Sequence, residues 1–412
     1  LRKRLSKLIV FLLAIRPTFN VFYSTVLFYI GNYPVSLLSV WSTVYLILVA
    51  IRLLMPPPIS SGSLKWSKAF IIWILIVGAP RYYFPEALIV DIGYALIVLL
   101  SIEVSAKIFA DFSVDQISRK ITYGALLLIL VHSTAKFWYH GPTSYAEAAG
   151  AGRPALHNYI GAFGSKQLAS ISFFVLLPFL LISCLRKGGK ISFVLFVSSV
   201  FFLIWTLYRT YIFCFLLGTT AFLMSTRKFF YALLTVVIIG MSFVILPKES
   251  LETFFVQKIQ SEYESFLSGD ISALGAGRVG IYLYGLNFFA RQMNPIQKLF
   301  GLGSGHNFSF HETVIGGRAF AHGQWIALMV DYGIIGLLIF ILFLWALYSD
   351  IQKAPYPEAY MRAVMFGLFI AIIGLCSVGH FLQKGGTGAL LAFPLGYPIY
   401  LRWTKKWGYL KG

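Results

Sequence analysis

Apolar runs of roughly 17–25 residues recur along the chain, each broken by a short polar or basic stretch, and each is long enough to cross about 30 Å of hydrocarbon. They predict twelve membrane-spanning helices, near residues 7–30, 34–54, 67–80, 85–107, 121–138, 168–185, 190–207, 209–225, 229–246, 323–348, 361–382 and 387–402. Two longer polar segments interrupt the series, at 139–167 and 247–322. The second begins PKESLETFFVQKIQSEYESFLSGD and continues GAGRVGIYLYGLNFFARQMNP, two stretches with helical amphipathic spacing. It ends in the glycine-rich GLGSGHN and GGRAFAHG, turns expected to let the backbone approach a ligand. The expected fold class is an all-α polytopic membrane protein, residues 1–412 forming one integral membrane domain.

Composition excludes a water-facing globule. Of 412 residues, 58% are hydrophobic and only 12% charged, with a mean hydropathy of +0.78; soluble domains carry about 25% charged residues. The net charge of +19 would suggest nucleic acid in a soluble chain, but here basic residues flank apolar runs and orient them. With LRKRLSK placed in the cytoplasm, twelve spans put Arg52, Lys65, Lys68, Lys107, Arg119, Lys120, Arg186, Lys187, Arg227, Lys228, Lys353, Arg362 and Arg402 on that side. Both termini are then cytoplasmic, and the two polar segments lie on the opposite face. No partner nucleic acid is expected. Cys184, Cys214 and Cys376 are scattered in apolar runs and read as small buried hydrophobes.

Seven basic residues run against the positive-inside trend on that opposite face: Arg153, Lys166, Arg209, Arg278, Arg291, Arg318 and Lys384. An anionic ligand is a physical reason for them. Arg209, in WTLYRTYIF, sits at the mouth between two apolar spans, where a guanidinium either snorkels or clamps phosphate oxygens. Arg278 follows Gly275 and Gly277 at a predicted helix start, a natural anion site. His322 stands where the long segment meets the tenth span and could take a proton from a hydroxyl. His306 and His311 are rivals in the same segment. Cys/His metal spacing, a phosphate-cradling GxxxxGK[ST] and a paired aspartate motif are absent from the sequence. Asp91, Glu103 and Asp331 are the few acids within apolar runs, a thin set for a proton-coupled transporter.

Four of these stretches together resemble the bacterial O-antigen polymerase and O-antigen ligase superfamily. GAFGSKQLASISFF (161–174) resembles the family's segment leading into a span, with Gln167 in place of the usual Asn. Arg209 matches its arginine at the outer membrane face. GAGRVGIYLYGLNFFARQMNPIQKLFGLGSG (275–305) resembles its long external loop, with Arg278 as the matched arginine and Tyr282 where Trp is common. HGQWIALMVDYGIIG (322–336) resembles its His-polar-(nine residues)-Gly-x-x-Gly signature, with Gly323 at the polar position; a rival register starts at His306–Asn307.

The resemblance implies a metal-independent, inverting glycosyltransferase, with no cofactor, in the bacterial inner membrane. Its partners would be an undecaprenyl-diphosphate-linked glycan, membrane lipids and a separate chain-length regulator. Arg209 and Arg278 would neutralise the departing diphosphate and His322 would serve as base. Lys166, Arg318, Arg291, His306 and Gln324 would bind substrate. Lys166 favours the polymerase branch over the ligase that transfers polymer to lipid A–core; a transporter of lipid-linked solutes is the alternative of another class.

Overall fold

The computed structural model describes residues 1–22, 26–30, 33–83, 85, 88–138, 163, 165–185, 190–206, 208–226, 258–269, 278–309 and 323–406. Among them six helical stretches are long and apolar enough to cross a membrane: Arg2–Phe22, Leu37–Leu54, Asp91–Phe109, Gln167–Leu185, Gln324–Lys353 and Ala359–Val378. The chain is a helical membrane protein. Helices Gly62–Gly78, Val114–Trp138, Lys190–Trp205 and Arg209–Thr226 also fall on predicted spans but are shorter or more polar, and the twelfth is split into Gly385–Ala392 and Gly396–Lys406. The predicted ninth span, 229–246, lies outside the described residues.

The first predicted span needs correction. Its helix, α1 (Arg2–Phe19), runs into one tight turn at Asn20–Phe22, and Val26–Ile30 and Tyr33–Ser36 then form an antiparallel hairpin. Aromatic and β-branched residues in VLFYIGNYPV, with Gly-Asn between the strands, favour extended pairing over helix. Serine caps set several helix starts: Ser36, Ser61 and Ser165 accept from Ser39 N, Leu64 N and Leu168 N, opening α2 (Leu37–Leu54), α3 (Gly62–Gly78) and α6 (Lys166–Phe174).

One end of the helix bundle gathers basic residues around two buried carboxylates. Asp111 takes Arg2 at 2.7 Å, Arg52 at 2.8 Å and the Ser6 hydroxyl at 2.7 Å. Arg52 is fully buried and also bonds the carbonyls of Lys107 and Pro56, so its charge is paired and its donors are used. Asp350 takes Arg402 and the Ser63 hydroxyl. These contacts bring the start of α1, the ends of α2 and α4 (Tyr94–Phe109), and the start of α3 to the same end, as alternating passes require.

At the far end, the 30-residue α13 (Gln324–Lys353) breaks at Gly333, with φ 70° and ψ −177°. The break frees backbone carbonyls, and the glycine-rich run takes them up. Leu302 N donates to Val330 O at 2.9 Å, Gly303 N to Asp331 O at 2.8 Å, and the Trp73 indole to Tyr332 O at 2.9 Å. A Cβ at Gly333 would collide with Leu299 O, and one at Gly301, also at positive φ, would collide with Asp331 O. The GLGSG glycines therefore serve a close approach of two backbones, where the sequence suggested approach to a ligand. Gly333 occupies backbone space open almost only to glycine, so Gly333→Ala is expected to cost about 3 kcal/mol, read as a lowered melting temperature in detergent.

Two amphipathic helices were expected in the long polar segment. The structure has α10 (Lys258–Leu267) and α11 (Arg278–Arg291), followed by the short α12 (Pro295–Phe300) with a capping box at Asn294.

Candidate functional site

Three helix starts meet at the end of α14 (Ala359–Val378). Tyr282, one turn into α11, donates its hydroxyl to Ser377 O. Trp325, at the start of α13, donates its indole N–H to Ser377 Oγ at 3.2 Å. Thr210, the second residue of α9 (Arg209–Thr226), approaches Gly379. Ile281 of α11 buries against Ile326 and Val330 of α13, which fixes the first helix on the second. Arg278 opens α11, His322 precedes Gly323, and Arg209 opens α9. The helix starts opened by Arg278 and Arg209 thus lie, with the start of α13, around Ser377–Gly379.

The placements differ from residue to residue. Arg209 is half-buried. Gly323 has φ 116°, and a Cβ there would collide with the Tyr282 ring, which gives a packing reason for glycine at that position. For Arg278 and Lys166 the described placement is that of the backbone, at the starts of α11 and α6. His322, Arg318 and His311 lie outside the described residues. Gln167 lies half-buried at the second position of α6. Arg291 is exposed at the other end of α11, about 20 Å along the helix from Arg278 at 1.5 Å per residue. Gln324 is buried, and its side-chain oxygen accepts from Leu382 N at 3.2 Å. Its visible work is to hold the turn after α14.

A buried polar cluster beside this meeting point was not joined in the sequence reading. Asp91 accepts from Gln383 Nε2 at 2.7 Å and from the Tyr332 hydroxyl at 2.8 Å. Asp331 accepts from Asn307 N at 2.9 Å, Gly305 N at 3.3 Å and the Asn307 side-chain amide. Ser304 Oγ lies 3.1 Å from the Tyr332 hydroxyl. The only sequence signal was an acid inside each of two apolar runs; their pairing across 240 residues leaves no trace in spacing.

His306 rides on the turn that Asp331 caps. Its Nδ1 is 3.1 Å from Gly303 O, and Tyr83 packs on its ring with centroids 5.6 Å apart. With Nδ1–H donating to that carbonyl, Nε2 holds the lone pair. Burial lowers the His306 pKa from its ordinary value, and the Gly303 carbonyl offsets part of this. The folded value then lies below the unfolded one, so between the two the unfolded chain binds more protons. Stability attributable to His306 is expected to be intact above about pH 6.5 and to fall as pH drops below it. Melting curves from pH 8 to pH 5 check this; His306→Gln should flatten the acid limb, and an unchanged limb would refute it.

Below Arg209 on the same helix, a cavity of about 160 Å³ is walled by apolar side chains, among them Phe174, Leu177, Leu181, Cys214, Phe222 and Leu368. Phe174, one of the wall residues, packs against Tyr211 with ring centroids 5.5 Å apart. The site thus sets an arginine at a helix start above an apolar slot, with two further helix starts alongside. A scan against protein-family models and a search of curated proteins gave no match to this chain, so the chemistry of the site rests on its own residues.

Proposed function

We propose that the chain is a membrane glycosyltransferase of the outer leaflet of the bacterial inner membrane, polymerising oligosaccharide repeat units carried on undecaprenyl diphosphate. The observation that carries this reading is the meeting of the starts of α9, opened by Arg209, α11, opened by Arg278, and α13 around Ser377–Gly379. A lipid diphosphate leaves with negative charge developing on its oxygens, and fixed guanidinium donors stabilise that charge without reorganising. Arg209 and Arg278 take this role, with Lys166 and Arg318 in support. His322 accepts the proton of the acceptor hydroxyl as that oxygen attacks C1. A single displacement inverts the anomeric centre. The apolar cavity beneath Arg209 suits an isoprenoid chain whose head lies at the arginine. The gathering of basic residues at the opposite end supports a cytoplasmic placement of that end.

The test is a reconstituted assay with the purified protein and a lipid-diphosphate-linked repeat unit. The expected product is a ladder of longer lipid-linked chains, insensitive to a chelator and lost in His322→Ala and Arg278→Ala. Transfer to added lipid A–core without chain growth would replace polymerisation by ligation. Chain growth that persists in both variants would remove the proposed mechanism.

A further inference from the structure

At the end of α9 opposite Arg209, a cavity of about 520 Å³ lies between three helix ends. Its walls include Ser225 from the last turn of α9, Gln352 from the last turn of α13, Tyr356 from the link that follows, and Arg362 and Phe366 from the first turns of α14. Ligand sites typically enclose about 300–1,000 Å³, so the space suits a small polar group. Gln352 stands two residues beyond Asp350, whose contact with Arg402 belongs to the basic end of the bundle. Arg362 is exposed, and among the described residues it makes no ion pair and no hydrogen bond. Of the two acids nearest in sequence, Asp350 is taken by Arg402 and the Ser63 hydroxyl, and Glu358 precedes α14 outside the wall.

One wall of the cavity continues as an apolar stripe. After the break at Gly333, Ile334, Leu338, Ile341, Trp345 and Tyr348 recur along α13 at intervals of three and four, and all are exposed. That spacing keeps them on one helix face, and the next position on it is Gln352. Tyr348 also packs on Phe366, ring centroids 6.3 Å apart, which joins the stripe to the cavity wall. From Leu338 to Tyr348 the stripe runs about 15 Å at 1.5 Å per residue, the depth of one hydrocarbon leaflet. On a membrane helix such a stripe is covered by acyl chain. The cavity at its foot then receives the head group, and the cation there selects a negative one.

We infer that this cavity holds one anionic phospholipid, with its phosphodiester on Arg362, its polar head-group atoms against Gln352 and Ser225, and an acyl chain along the Ile334–Tyr348 face. The planar guanidinium fork matches phosphate oxygens. The inference is independent of the reaction proposed above, since it uses none of the residues assigned there.

Dioleoylphosphatidylglycerol, dioleoylphosphatidylcholine and inorganic phosphate are the probes, each titrated into delipidated full-length protein in detergent. Native mass spectrometry counts bound molecules, and the melting temperature gives a second reading. One phosphatidylglycerol is expected to bind about fivefold more tightly than phosphatidylcholine and to raise the melting temperature. Inorganic phosphate is expected neither to bind nor to compete. Arg362→Gln should weaken phosphatidylglycerol about tenfold and leave phosphatidylcholine unchanged. The side chain is exposed, so the lipid-free variant should melt like wild type. Gln352→Trp keeps the charge but fills the cavity, and should weaken both lipids. Lys65→Gln removes an exposed charge at the same end of the bundle, outside the cavity, and should change neither. Equal affinity for the two lipids, unchanged binding in Gln352→Trp, or equal weakening by Lys65→Gln and Arg362→Gln would each overturn the site in favour of general attraction to the basic end. Phosphate binding that is lost in Arg362→Gln would overturn the lipid in favour of a free oxyanion.

Discussion

Replacing Asp331 by alanine is expected to cost about 3–5 kcal/mol and to release the 301–309 segment from α13, because three buried donors lose their acceptor at once. The backbone N–H groups of Gly305 and Asn307 and the Asn307 amide all end on this carboxylate. A buried donor left unsatisfied costs about 1–3 kcal/mol. Removing one of two neighbouring buried carboxyl groups returns part of that sum, which keeps the total below a simple addition. Asp331→Asn retains one acceptor oxygen in the same shape and should cost only about 1 kcal/mol. Two measurements check the pair: thermal melting in detergent, and amide hydrogen exchange across 301–309. Faster exchange confined to that segment is expected, since Leu302 and Gly303 also pair with the carbonyls at the break. If Asp331→Ala melts like wild type with unchanged exchange, the carboxylate does not hold the segment.

The same network explains which parts of the fold were legible from the sequence. Apolar length and flanking charge are local properties, so the helices and their basic end could be read directly. The hairpin at Val26–Ser36 was missed because five or six aromatic and β-branched residues look alike in a buried helix and in a strand. The glycines of GLGSG announced a close approach but not its object. A backbone that must approach a ligand and one that must approach a broken helix need the same residue. Asp91 and Asp331 were counted as isolated acids, since nothing in spacing links residues joined only by packing. Gln324 stood beside His322 in sequence, and adjacency suggested a shared role; on a helix its side chain turns inward to Leu382. At the candidate site, sequence order named the helix starts but not the residues that join them. Tyr282, Trp325 and Ser377 make those joints, and none bears a charge or a motif that would single it out.

Arg209→Ala is expected to lower the rate of chain extension roughly 100- to 1,000-fold, the loss that follows removal of one preorganised donor from a developing anion. Arg209 opens α9, where the helix adds its own positive end to the guanidinium. Its neighbours are fixed independently of it: Thr210 packs on Gly379, and the buried Tyr211 packs against Phe174. Alanine should therefore leave the helix start in place and the melting temperature within a few degrees of wild type. The loss should fall mainly on kcat, because the charge to be stabilised is larger in the transition state than in the bound diphosphate. Lysine at 209 keeps the charge without the planar fork and should recover about tenfold of the loss. A purely structural arginine would behave differently: activity would follow stability, and lysine would rescue both together. An Arg209→Ala protein that melts like wild type and extends chains within about threefold of its rate would show that the leaving diphosphate is held elsewhere.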